Sequence, residues 1–515
     1  MHLFKHLFLK LLPLALIGGA GYVLFASFGS VASDRFGSIN YENGPVGSYT
    51  TGRFDSSLAA QSAAKSGYVR ETLDWSQIEP SDGVYNWVTP VPYTSLFASE
   101  KAAGFKVVAV LSGGPTYFNG SSIDFLIHWA KFVQSAVDTL GDQVDVWEIG
   151  TQINSTTGMS AFITPTTPTQ STAPDPTLYA QMLIVADKII KTADPNDEVW
   201  MGSLVSAAAQ NCAVNPLTFL LQVNGSKGFD SMDSIEYMPD RGALSPEAAL
   251  TAGSTACASS LPSGVTTLSG EVKAMQDLAA NLGGKTLRIE GLGWNSDELS
   301  TLATGRSTGT DQILADELTR ATVILAANNG IDDVFWQADA GSSSPSEIAL
   351  RNLNSVLAGA RLESQPQGQT GSVYEYRFTK GSQWIIIAWR AQDGDTPIPV
   401  TLSNLSVNSL TAYAVDAPAF TSEYGTALTV TNGSTILYLN ERPVVFLGKT
   451  ADITKALQQD GENQTSLWKL EIKQAANHQL NNLKLEMKNA LKDIFNSAKQ
   501  KAVDWGKEKI NEVLN

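Results

Sequence analysis

Between Gly67 and about Ala340, short apolar runs alternate with stretches of helical spacing. Val107-Val108-Ala109-Val110-Leu111 is a continuous apolar run closed by Gly113-Gly114-Pro115, which predicts a buried strand ending in a turn. Phe125, Trp129, Phe132, Val133, Ala136 and Val137 recur at a spacing near 3.6 and predict a helix up to Leu140. Tyr179 to Thr192 reads as a second amphipathic helix, stopped by Asp194-Pro195. Val144 to Ile149, Val199-Trp200-Met201-Gly202, Leu287-Arg288-Ile289 and Val334-Phe335-Trp336 read as further strands. Strand–helix alternation of this length predicts an α/β fold, a (β/α)8 TIM barrel over residues 34–360.

The pattern then changes. Val373 to Phe378, Trp384 to Trp389, Val400-Thr401-Leu402, Leu428-Thr429-Val430 and Thr435 to Leu439 are short β-rich runs with turn residues between them, predicting a small all-β sandwich over 361–448. A polar linker follows over 449–465. In 466–515, Leu480, Leu483, Met487, Leu491, Ile494, Phe495, Ala498 and Ala502 recur at helical spacing among lysines. This predicts a C-terminal amphipathic helix that needs a surface: its own barrel, a protein partner, a second copy or a membrane.

Residues 1–33 have no acidic residue and a basic start, and residues 11–28 are apolar or small throughout. That length favours an N-terminal membrane anchor over a cleaved signal peptide, for which Val31-Ala32-Ser33 offers a cleavage site. Either reading places the remainder outside the cytoplasm. The formal net charge of -16 argues against nucleic acid as a partner. Two cysteines, Cys212 and Cys257, form a disulfide candidate in an oxidising compartment, with two free buried thiols as the alternative. Nothing in the sequence points to a metal or a cofactor.

Two motifs carry candidate chemistry. Arg70-Glu71-Thr72-Leu73-Asp74-Trp75-Ser76-Gln77-Ile78-Glu79-Pro80 is followed by Gly83-Val84-Tyr85-Asn86-Trp87, and Trp147-Glu148-Ile149-Gly150-Thr151-Gln152-Ile153-Asn154 leaves a predicted strand. Together they resemble the second- and fourth-strand motifs of clan A glycoside hydrolases, closest to family 39, over about residues 35–448. The resemblance implies a retaining glycosidase scaffold, with carbohydrate as ligand, Arg70 supporting the nucleophile and Asn154 at the ligand site. It also implies sugar-facing roles for Trp294 and Trp336, near strand ends.

The catalytic positions depart from that pattern. The family's acid/base glutamate corresponds to Gln152, whose amide does not titrate in the working range. Anchored on Gly293-Trp294, the nucleophile position is Gly291, and Glu290 stands one residue early. A one-residue offset on a strand turns the side chain to the other face, so Glu290 is expected to face away from the bore, without a carboxylate partner, unless a bulge at Gly291 returns it. Glu148, four residues before Gln152, is expected in the polar barrel interior. In Asp233 to Asp240, Met238 and Asp240 replace the family's His and Tyr. The expectation is an exported glycosidase-like protein with impaired catalysis, acting in glycan binding or interaction. The alternatives are an active retaining glycosidase using Glu290, and an assembly subunit with the barrel as scaffold.

Overall fold

The structure, a computed structural model, describes residues 36, 38–41, 62, 66–115, 117–118, 121–158, 174–250, 257, 267–328, 331–337, 344–364, 373–391, 397–407 and 409–449. The chain divides into two units, Met1–Lys449 and Thr450–Asn515. The predicted anchor at 11–28 and the predicted amphipathic tail at 466–515 lie outside the described residues. Among the described residues, no helix is long and apolar enough to cross a membrane.

Eight parallel strands form one sheet: β1 (Ser38–Tyr41), β2 (Tyr68–Asp74), β3 (Lys106–Ser112), β4 (Val146–Ile149), β5 (Glu198–Val205), β6 (Ser234–Met238), β7 (Thr286–Leu292) and β8 (Ile331–Trp336). The order β1-β8-β7-β6-β5-β4-β3-β2 is that of a ring opened between β1 and β2. Asn40 spans this seam: its side-chain oxygen accepts hydrogen bonds from the backbone N–H of Gly67 (2.7 Å) and Tyr68 (3.0 Å). From β2 to β8 the connections between the strands carry helices, as parallel pairing requires.

Local chemistry fixes the helix ends. Ser121 and Asp124 form a capping box at the start of the helix Ser122–Leu140. Asp175 caps the helix Pro176–Ala193, whose first residue is proline. The apolar faces read from the sequence are the buried ones: Phe125, Trp129, Phe132, Val133, Ala136 and Val137 all lie against the sheet's outer core.

The bore is filled in layers, as in other barrels of this kind. Tyr68, Val108, Val146, Trp200 and Phe335 form one apolar layer. The Arg288 guanidinium lies 4.1 Å from the Trp200 ring centroid and ion-pairs with Asp333, both side chains being buried. Two residues further along β2, β4, β6 and β7, the strand period of two brings Arg70, Glu148, Glu236 and Glu290 to the next layer.

Beyond the barrel, β9 (Arg361–Ser364), β10 (Val373–Lys380), β11 (Gln383–Arg390), β13 (Ser409–Ala414), β14 (Thr426–Thr429) and β16 (Val444–Lys449) form a six-stranded antiparallel sheet. A two-stranded sheet, β12 (Ile398–Leu402) with β15 (Thr435–Leu439), shares an apolar core with it that includes Ile386, Ala388, Leu402, Leu437, Leu439 and Phe446. This is the predicted sandwich. It is tied to the barrel by Asn352, which donates to the carbonyls of Val415 (2.9 Å) and Ala417 (2.6 Å). Trp389 and Arg320 both bond the carboxylate of Glu247, whose side chain is 4% exposed, in the connection after β6.

Candidate functional site

The centre of the barrel is polar. Arg70 donates to both oxygens of Glu148, through Nε to Oε2 and Nη2 to Oε1, each at 2.7 Å. The same Nη2 reaches Glu290 Oε1 at 2.8 Å. These contacts join β2, β4 and β7, which are not sheet neighbours, so they cross the bore. Glu236 on β6 completes the group: one oxygen from each of Glu148, Glu236 and Glu290 lies within 4.8 Å of the others. The fractional exposures are 3% for Arg70, 0% for Glu148, 0% for Glu236 and 1% for Glu290.

Two expectations about Glu290 are therefore corrected. It faces the bore, and it has carboxylate neighbours. The reason is local. The pairing of β7 with β8 shifts register between Ile289 and Leu292, and Gly291 adopts φ of +60°. The extra residue is absorbed at Gly291, so Glu290 points inward while Leu292 joins the outer core. A Cβ at residue 291 would stand 2.1 Å from Met238 Cε. Met238 thus fills the space beside the bulge, and a side chain cannot be added at 291 without displacing it. Gly291→Ala is expected to cost about 1–3 kcal/mol, from the left-handed backbone and the clash together. Met238→Ala should recover only the steric part, as checked by urea unfolding of the single and double variants.

Above this layer stands Gln152, the residue that the resemblance matches to an acid/base position. Gln152 has φ of +51°, and its backbone N–H donates to Ser203 Oγ at 2.9 Å. Its side-chain oxygen accepts from Asn211 Nδ2 at 2.8 Å. Thr151 Oγ1 donates to Glu290 Oε1 at 3.1 Å and lies 3.0 Å from Ser203 Oγ. The loop after β4 thus holds a neutral amide at the position where the resemblance implies a proton donor. Thr151 bonds Glu290 from the same loop.

Three further expectations are corrected. Asn154 is fully buried and braces backbone: it accepts from Val205 N–H at 2.8 Å and donates to Val205 O at 3.1 Å and Val214 O at 2.9 Å. Trp336 is 0% exposed, with its indole N–H on Thr322 Oγ1 at 2.8 Å, because the last residue of β8 points outward to the helix Thr310–Ala326. Trp294 is 6% exposed and donates to Leu244 O at 3.1 Å. As folded, none of the three offers a free face to a sugar. Cys212 and Cys257 are joined in a disulfide, packed with Val205, Ala207, Ala209 and Met238.

Glu236, Thr151 and Ser203 carry much of the polar centre without having been singled out. The signal for Glu236 was parity: it stands two residues before Met238 on one strand. Burial raises the Glu236 carboxyl well above the usual range, reinforced by Glu148 and then Glu290. Burial also raises Glu148, with Arg70 opposing. Such an arrangement can hold protons and charge in a dry interior; a hydrolase would need the same groups open to substrate.

No family model matches the sequence, and no curated protein matches it. Solved structures do match in fold. A family 39 glycoside hydrolase from Bacteroides cellulosilyticus WH2 is 18% identical, with 81% of each chain covered and a TM-score of 0.60. A conserved exported protein from Bacteroides fragilis is 9% identical, covering 81% of this chain and 98% of its own, at 0.55. A GH30 endoxylanase from Clostridium papyrosolvens C71 is 13% identical, covering 81% and 97%, at 0.51. At these identities the likeness concerns the fold, and the chain has the barrel-plus-sandwich fold of clan A glycoside hydrolases.

Proposed function

We propose that this chain is a glycosidase-fold protein that does not turn over glycosides and acts by binding, with carbohydrate as its ligand class. The observation that carries this reading is the pairing of Gln152, where the proton donor would stand, with a Glu290 that is 1% exposed. A retaining enzyme needs two carboxylates roughly 5–5.5 Å apart on either side of the scissile bond. The carboxylates here are close enough, but they face one another and Arg70 inside the barrel, with no room between them for a sugar ring. The fold neighbours, which include a glycoside hydrolase and an endoxylanase, support carbohydrate as the ligand class.

A second reading rests on one specific feature. Glu290 lies in the bore with Arg70 at 2.8 Å, the kind of support that the resemblance implies for a nucleophile. On that reading the loop after β4 opens and exposes Glu290 to substrates with good leaving groups. The Cys212–Cys257 bond supports an oxidising compartment, in line with an exported protein held by residues 11–28. The amphipathic stripe in 466–515 supports a partner protein or self-association.

The test uses residues 34–515, aryl glycosides and oligosaccharides. No turnover is expected from this protein or from Gln152→Glu, because restoring the acid leaves Glu290 sealed. Turnover that disappears in Glu290→Gln would overturn the first reading in favour of the second. Retention of an oligosaccharide on a glycan array without turnover is the expected positive result. No retention on any glycan removes carbohydrate from the proposal and leaves the scaffold reading.

A further inference from the structure

We propose that Glu236 holds a proton shared with Glu148, making the centre of the barrel a built-in proton-binding site whose occupancy holds the fold together. The argument begins with charge. Three carboxylates and one guanidinium occupy a layer in which each residue is 3% exposed or less. With all four ionised the layer carries two uncompensated negative charges in a dry interior, a cost of several kcal/mol per ion. One proton halves that excess.

The hydrogen bonds say where the proton goes. Both Glu148 oxygens accept from Arg70, and Glu290 Oε1 accepts from Arg70 and Thr151. Among the described residues, no donor reaches either Glu236 oxygen, whereas Glu290 is short of a donor only at Oε2. Glu236 is therefore the member that gains most by becoming an acid, since its new O–H can be given to Glu148. A metal ion fits less well, because Glu148 already spends both oxygens on a guanidinium that would repel the ion.

Among the described residues, the charges acting on Glu236 are those of this same layer, Glu148, Glu290 and Arg70. From β2 the group facing the pair is Arg70, from β4 Glu148 and from β7 Glu290. From the helix Pro176–Ala193 it is Tyr179, whose hydroxyl donates to Ile149 O at 2.7 Å and accepts from Gly202 N–H at 2.9 Å. Burial and the two facing carboxylates move Glu236 upward, in the same direction. A carboxyl raised in the folded state contributes stability that is complete below its unfolded value and is lost as pH rises through its folded value. Alkali is thus expected to loosen the barrel from its centre.

The experiment is infrared spectroscopy of the full chain in D2O at neutral pH. It is done in a Glu100→Gln, Asp316→Asn background, so that two other buried acids, pushed up to about 10 and about 7, do not contribute. The expected result is a carbonyl stretch of a protonated carboxylic acid, lost in Glu236→Gln, together with a flatter fall of stability as pH rises above the ordinary carboxylate range. A difference spectrum showing loss of an ionised carboxylate would overturn the proposal. So would a stoichiometric metal ion whose removal by EDTA destabilises the protein. If Glu236→Gln does not fold, the acid band of the background protein is followed against pH. Persistence above pH 7 supports the shared proton, and complete loss below about pH 6 refutes it.

Discussion

Arg70→Met is expected to destabilise the barrel by about 3–5 kcal/mol, a large share of the roughly 5–15 kcal/mol that keeps a typical domain folded. The guanidinium makes three hydrogen bonds of 2.7–2.8 Å to Glu148 and Glu290 from a side chain that is 3% exposed. Methionine fills part of the volume and removes the charge, leaving two carboxylates that cannot reach water. They must protonate or open the core. The partner test is Arg70→Met combined with Glu148→Gln and Glu290→Gln, which removes the stranded charges. Recovery of most of the lost stability would show that the penalty was buried charge and not a cavity. Circular dichroism followed through urea titration measures both variants. A single variant within about 1 kcal/mol of the parent would mean that the carboxylates already carry protons, and the ion pairs drawn here would be wrong.

The dominance of this layer explains what was legible beforehand. Barrel and sandwich followed from periodicity, because a helix must bury one stripe and a parallel strand both faces, and each leaves its own spacing in the sequence. Phe125 to Val137 and Val107 to Leu111 are such cases. The site was less legible because it depends on parity across several strands. Counting back from Gly293-Trp294 puts Glu290 on the wrong face; the sequence offers a bulge at Gly291 as the exception, and the backbone, with φ of +60° there, shows that the exception holds. The tryptophans misled for a related reason. Trp336 ends a strand, where ligand-facing residues are common, yet strand parity sends it outward to Thr322. The resemblance places Asn154 at the ligand site, but its amide satisfies the backbone of Val205 and Val214, a demand that sequence alone does not display. Gln152 is a different case: its reading rests on identity, because no conformation turns an amide into a titrating acid, and the assay of the Gln152→Glu variant is what tests it.

Glu100→Gln is expected to raise stability by about 2–3 kcal/mol at pH 7 and to change it little near pH 4.5. Glu100 lies on the helix Tyr93–Ala102, fully buried, and Glu71 on the outer face of β2 is 4% exposed. Burial pushes the Glu100 carboxyl from an ordinary 4.5 up to about 10, and the Glu71 charge and hydrogen bond add to the rise. The sign follows directly. The folded protein keeps this proton while the unfolded chain gives it up above about pH 4.5, so stability is complete below that value and falls as pH climbs towards 10. Glutamine keeps a donor for Glu71 and never ionises, so the variant escapes the penalty while preserving the contact. Urea unfolding from about pH 4.5 to 9 should show the two proteins coinciding in acid and separating steadily above it. Parallel profiles would show that Glu100 is ionised in the native state and that water or a cation reaches it. The helix Tyr93–Ala102 packs beside β2, the strand that carries Arg70 one residue before Glu71. Two separate acid pairs thus bear on one strand from its two faces, and both make the barrel most stable on the acidic side.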